Sequence, residues 1–204
     1  GEALSKRLGT LSLRDLRAAG IAPMALLSLM ARLGSSQPVV LAGSLEELAD
    51  GFDLSQFGSA PTKFDENDLY PLTARILQET PLAAVAAEIA ALGVPDQLAA
   101  DFWNVARANI TTKADLAPWW ALFRDGAAPA VEAEDREFIA AAFDMLPDPP
   151  YDGETWANWT NAVKEATGRK GKTLFMPLRK AVTGQDKGPE MADVMRLLQK
   201  KPAL

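Results

Sequence analysis

The 204-residue chain contains no cysteine and no histidine. The first absence removes disulfides, thiolate zinc sites and cysteine nucleophiles. The second removes imidazole ligands, Ser-His-Asp triads and the commonest general base. Most self-contained active sites are thereby excluded, and no resident metal or cofactor is expected. The chain also has no unbroken apolar run near the roughly 20 residues of a membrane-spanning helix, so no membrane partner is expected. Residues 1–7 hold neither an initiator Met nor a charged stretch leading into an apolar run, so the chain reads as a cytoplasmic segment that begins mid-protein without a signal peptide. What is present is ordinary for a folded protein: 48% hydrophobic residues, 24% charged, 14 Gly and 14 Pro. At roughly 100 to 200 residues per domain, that length makes one large domain or two small ones.

Charge is distributed unevenly. Residues 1–32 carry Lys6, Arg7, Arg14, Arg17 and Arg32 against Glu2 and Asp15. Residues 164–201 carry ten cations against Glu165, Asp186, Glu190 and Asp193. The formal total of −6 therefore leaves a strongly acidic centre between two basic ends. That asymmetry suits a polyanion touching the ends, and it equally suits solvated helix faces.

Helical signals recur almost everywhere. Ser12-Leu-Arg-Asp15 and Ser44-Leu-Glu-Glu47 have capping-box spacing, and Gly20 and Gly51 close the turns they open. Pro23 stands where a helix starts, followed by an apolar face through Leu33. Only residues 35–43, with Val39, Val40 and Leu41, suit a short extended segment. Helical patterns follow over about 65–79, 81–92, 95–109, 113–123, 134–146, 154–167, 172–182 and 189–200. The expected fold is all-α, a bundle or superhelix of about ten helices in two subdomains.

The segment from 150 to 190 is the most specialised. Gly168-Arg169-Lys170-Gly171-Lys172 puts three cations and two glycines in five residues, so its backbone can approach a phosphate that the cations neutralise. Trp156 and Trp159 share a helix face, which suits core packing or, less commonly, base stacking. Trp119 and Trp120 are adjacent and cannot share one face, so at least one of them belongs at a rim.

Two stretches carry a resemblance. Leu4-Ser5-Lys6-Arg7-Leu8-Gly9, with Leu13-Arg14-Asp15-Leu16, Gly20-Ile21, Pro23-Met24-Ala25-Leu26-Leu27 and Leu33-Gly34, resembles the signature loop and following helices of glutamyl-tRNA synthetases, class I aminoacyl-tRNA synthetases. Thr167 to Lys172, Leu174-Phe175-Met176-Pro177-Leu178-Arg179, Ala181 to Gly184 and Gly188-Pro189-Glu190 resemble the same family's anticodon-binding region. The resemblance implies a division into a signature loop and stem-contact region (1–60) and two helical anticodon-binding subdomains (61–130 and 131–204).

By resemblance, Ser5, Lys6 and Arg7 belong to the ATP-binding loop, and Lys6 is the catalytic lysine that neutralises the polyphosphate as the adenylate forms. The family's first loop lysine is replaced here by Ala3. The nucleotide-binding fold with its His-x-Gly-His motif has no counterpart in a chain without histidine, so ATP and Mg belong to a longer parent enzyme. The chain alone is expected not to activate glutamate. Arg14, Arg17, Arg169, Lys170, Lys172 and Arg179 are expected on the tRNA backbone. Lys187, Gly188, Pro189 and Met191 are expected at the anticodon, where a helix starting at Pro189 would offer free N–H donors, or would simply be a Gly-Pro helix start. Arg107 is the candidate for reading the third anticodon base, with an ion pair to Asp101 or another carboxylate as the alternative. The implied partner is a glutamate-acceptor tRNA, or a glutamine-acceptor one, bound by a monomer. The competing readings are an acidic helical protein-interaction module and a paralogous ligase charging another tRNA.

Overall fold

The computed structural model describes residues 12–204. Ser5, Lys6 and Arg7, together with Ala3, lie outside the described residues. The described residues contain eleven α-helices and five short 3-10 turns, and no strand. The extended segment expected at 35–43 is coil, and extended pairing is reduced to a single bridge between Ser35 and Phe57. Val39 and Leu41 instead pack on an apolar core.

The chain forms two compact units. The first runs to Pro81 and takes in Ile110–Asp115; the second comprises Leu82–Asn109 and Leu116–Leu204. The expected boundaries after 60 and 130 fall inside these units.

Unit 1 contains α1 (Leu13–Ala18), α2 (Pro23–Met30), α3 (Leu45–Asp50) and α4 (Leu69–Glu79). The capping box at α1 is complete: Ser12 Oγ accepts from the Asp15 N–H, and the Asp15 carboxylate accepts from the Ser12 N–H. At α3, Ser44 Oγ accepts from Glu47 N–H, but the Glu47 carboxylate reaches one residue further back, to Gly43 N–H at 2.7 Å. The core is Leu16, Ile21, Ala25, Leu29, Leu69 and Leu72; each large aliphatic buried there contributes roughly 1.5–3 kcal/mol. Two buried hydroxyls serve backbone donors that the helices leave free. Thr73 Oγ1 accepts from Ala22 N–H at 3.2 Å, and Ser28 Oγ accepts from Ala42 N–H at 3.2 Å. The 110–115 stretch closes the unit. Asp115 accepts the Thr111 and Thr112 N–H groups, and Gly20 lies so near Thr112 that a Cβ there would stand 3.0 Å from the threonine Cβ.

Unit 2 contains α5 (Ala86–Ala91), α6 (Asp96–Arg107), α7 (Leu116–Asp125), α8 (Arg136–Asp144), α9 (Thr155–Thr167), α10 (Lys172–Thr183) and α11 (Met191–Leu197). α11 packs on α6, α7 and α9, and it buries Met191, Val194, Met195 and Leu197. An aromatic knot fills the α6–α7 contact, with Phe102 edge-on to Trp120 at 5.5 Å and to Phe123 at 6.1 Å. Trp120 is buried and its neighbour Trp119 is half-buried, as their adjacency requires. Trp159 is core, its Nε1–H donating to the Ala142 carbonyl at 2.7 Å, whereas Trp156 keeps an exposed part.

Candidate nucleic-acid interface

The glycine-rich loop between α9 and α10 folds for backbone reasons. Gly168 (φ 70°) ends α9 in the left-handed conformation and Gly171 (φ 56°) precedes α10, while a Cβ at either would meet nothing within 4 Å. Conformation rather than crowding requires glycine there.

Of the loop's three expected phosphate ligands, Arg169 turns inward. Its Nη1 pairs with the Asp135 carboxylate at 2.5 Å, and its guanidinium stacks 4.0 Å from the Phe138 ring centre. Nη1 also lies 3.4 Å from the Thr173 carbonyl. That carbonyl is free because Pro177, inside α10, has no N–H to donate. Arg169 thus braces α10 against α8. Lys170 and Lys172 are exposed and make no ion pair among the described residues.

Further along α10, Lys180 is engaged with Asp186 at 3.2 Å and Glu132 at 3.4 Å. Those carboxylates, Asp186 foremost, raise its pKa by favouring the ammonium. Arg179 is held differently. Its Nη2 donates to the Pro189 carbonyl at 2.9 Å, while Nη1 is buried without a partner. A Cβ at Gly188, whose φ of 146° favours glycine, would stand 3.6 Å from Gln185 Oε1, 3.7 Å from Arg179 Nη1 and 3.7 Å from Trp119 Cη2. Three side chains therefore converge on Gly188, with an unsatisfied cationic donor among them. A guanidinium N–H, an amide oxygen and an indole edge are the equipment for recognising a polar planar group. No sequence signal assigns Trp119 and Gln185 to this point, because only the fold brings residues 119, 179, 185 and 188 together.

The helix expected from Pro189 begins two residues later, at Met191, with Glu190 as N-cap. A helix starting at the proline would give the Pro189 carbonyl to Asp193 N–H; Arg179 occupies that carbonyl, and Asp193 N–H turns to Glu190 at 3.1 Å. Met191 and Pro189 are buried, and the first turn carries Asp193. Lys187 remains exposed and unpaired among the described residues.

Beside the corner, a cleft of about 390 Å³ is lined by Asn104 and Asn109 of the α6 region and by Gly188, Pro189 and Glu190. Arg107 is half-buried in the last turn of α6 and does not line that cleft. Its expected pair with Asp101 is not formed, and it makes no ion pair among the described residues. In unit 1, Arg14 and Arg17 stand exposed on α1 and are also unpaired among the described residues. No helix among the described residues is long and apolar enough to cross a membrane, and no cluster among them could hold a metal ion.

Residues 96–204 match the anticodon binding domain family. The whole chain is similar to glutamate–tRNA ligase 2 of Jannaschia sp. (strain CCS1), at 74% identity over 204 residues, covering 45% of that protein. It is similar also to glutamate–tRNA ligase 2 of Dinoroseobacter shibae (strain DSM 16493 / NCIMB 14021 / DFL 12), at 75% identity over 204 residues and 46% of that protein. The chain therefore spans just under half the length of these relatives. Its fold is shared with a glutamate tRNA ligase from Elizabethkingia meningosepticum CCUG26117, whose crystal structure matches 97% of this chain and 46% of its own at a TM-score of 0.71 and 21% identity. With more than half of its residues matched, from Asp96 through the aromatic knot, the glycine-rich loop and the Arg179 corner to Leu204, the chain belongs to the anticodon-binding domain family.

Proposed function

We propose that this chain is the tRNA-recognising part of a glutamate–tRNA ligase, and that the Arg179 corner takes an anticodon base. The observation that carries the reading is the buried, unpartnered Nη1 of Arg179 beside Gly188, in a chain matched along its whole length by such ligases. Lys170, Lys172 and Lys187 supply phosphate contacts near that corner, and Arg14 and Arg17 supply them on unit 1. Pro189 holds Arg179 through its carbonyl, and the buried Met191 anchors the helix behind it. Arg107, with no carboxylate partner among the described residues, reads a further base as a planar fork. Ser5, Lys6 and Arg7 act on ATP, with Mg, in the longer ligase. The acceptor is glutamate tRNA, the protein is a monomer, and it works in the cytoplasm.

Binding of glutamate tRNA to the 204-residue chain across a salt series tests the reading. Affinity is expected to fall steeply with salt, and Lys170→Ala with Lys172→Ala is expected to flatten the log-log slope by roughly 0.7–0.9 for each phosphate that is no longer neutralised. Arg179→Ala and Arg107→Ala are expected to weaken binding unequally among tRNAs that differ at one anticodon base. Equal losses for every anticodon would remove both residues from base recognition.

A further inference from the structure

Phe175 stands out among the side chains of unit 2. Its neighbours Leu174 and Leu178 are buried, yet Phe175 is 44% exposed. It lies on α10 three residues after Lys172 and four before Arg179, so the three side chains form one stripe on the helix surface. Across from it on α9 is the half-buried Trp156, with ring centres 6.4 Å apart and planes inclined by 37°. Trp156 is in turn fixed from behind by an edge-to-face contact with the core residue Trp159 at 5.5 Å. The indole N–H of Trp159 is consumed by a backbone carbonyl, whereas that of Trp156 has no acceptor among the described residues and is not buried. The result is a rigid aromatic surface with one free donor. It adjoins the exposed cations Lys170 and Lys172 at one end and leads along α10 toward the Arg179 corner.

An exposed aromatic ring beside unpaired lysines combines the two elements that hold single-stranded nucleic acid, a π-face for a base and charge for the adjoining phosphate. We infer that Phe175, backed by Trp156, is a stacking platform for one unpaired nucleotide of the bound RNA, at a position separate from the Arg179 corner. Lys172 neutralises the phosphate of that nucleotide. The inference rests on the tRNA-binding reading above and adds to it a contact that depends on ring surface rather than on charge.

The two contributions separate experimentally. Affinity of the 204-residue chain for glutamate tRNA is measured over a salt series for wild type, Phe175→Leu, Phe175→Tyr and Trp156→Ala, with circular dichroism melts alongside. Phe175→Leu keeps the apolar bulk and loses the π-face. It is expected to weaken binding about tenfold at every salt concentration with an unchanged log-log slope, and Phe175→Tyr to retain wild-type affinity. Trp156→Ala is expected to weaken binding in the same slope-neutral way. Wild-type affinity in Phe175→Leu would overturn the platform while leaving the tRNA reading in place, and would give this face to a protein contact. A change of slope in Phe175→Leu would overturn it too, by showing that the substitution acts through the lysines. Absence of salt-dependent tRNA binding by the wild-type chain would defeat the reading on which the platform rests.

Discussion

Arg169, Lys170 and Lys172 are three cations within four positions, and the fold gives them different work. Arg169 meets a carboxylate, a ring face and an orphaned carbonyl, and these hold its guanidinium in one place. Arg169→Ala is expected to lower unfolding stability by about 1–2 kcal/mol, the sum of a partly exposed ion pair and a cation–π contact. Urea unfolding would measure this, and Lys170→Ala with Lys172→Ala should leave the midpoint unmoved. A second residue reports through pH. Burial, and secondarily Asp148, push the Tyr151 phenol from 10.0 up to about 12. The folded state therefore favours the neutral phenol. Its contribution is fully present below pH 10.0 and is lost as pH rises toward about 12. Tyr151→Phe should abolish that part of the alkaline loss seen in urea midpoints. It should cost little at neutral pH, because the buried hydroxyl has no partner to lose.

Elements whose signals are local are legible in the sequence. The capping box at Ser12, the Ser44 cap and the glycine ends at Gly168 and Gly184 depend on residues within four positions of one another, and the helices are where such spacing puts them. Features that depend on a distant partner are not. Asp135 is 34 residues from Arg169, and nothing near Val39–Leu41 in sequence says that no neighbouring strand will pair with it. The start of α11 falls two residues after its Gly-Pro signal, where Arg179 from the preceding helix donates to the Pro189 carbonyl. Phe175 reads as one more apolar residue of α10, and only its angular position beside Lys172 and Arg179 hints at the surface. The same logic gives a prediction for α10. Pro177→Ala restores an N–H for the Thr173 carbonyl, so the cost of Arg169→Ala should be smaller in a Pro177→Ala background. A double-mutant cycle of urea midpoints would show this as a positive coupling of a few tenths of a kcal/mol or more, and strict additivity would deny that the two share the carbonyl.

Across the molecule, folding sharpens the basic C-terminal end. Arg169, Lys180, Arg196, Lys200 and Lys201 are each paired with a carboxylate, and Arg179 is bound to a carbonyl. Lys164, Lys170, Lys172 and Lys187 make no ion pair among the described residues, so the charge offered to a polyanion is smaller than composition suggests and more localised. With no histidine in the chain and no strand among the described residues, the 204-residue chain is expected to give a helical circular dichroism spectrum and no glutamate-dependent pyrophosphate exchange. Exchange above background in the purified chain would contradict that expectation.

The excursion of residues 110–115 into unit 1 bears on how this chain can be cut and joined. Unit 1 is discontinuous in sequence: its helices are complete by Glu79, yet it still needs Ile110, buried at 4% exposure, and Thr112 against Gly20. A gene truncated after codon 81 would encode a unit missing one wall, and one starting at codon 82 would encode a unit carrying that wall with nothing to cover. Domain shuffling by simple end-to-end fusion is therefore closed to this arrangement at that joint. An exchange of unit 1 between relatives has to replace the 110–115 turn together with the Gly20 region it meets.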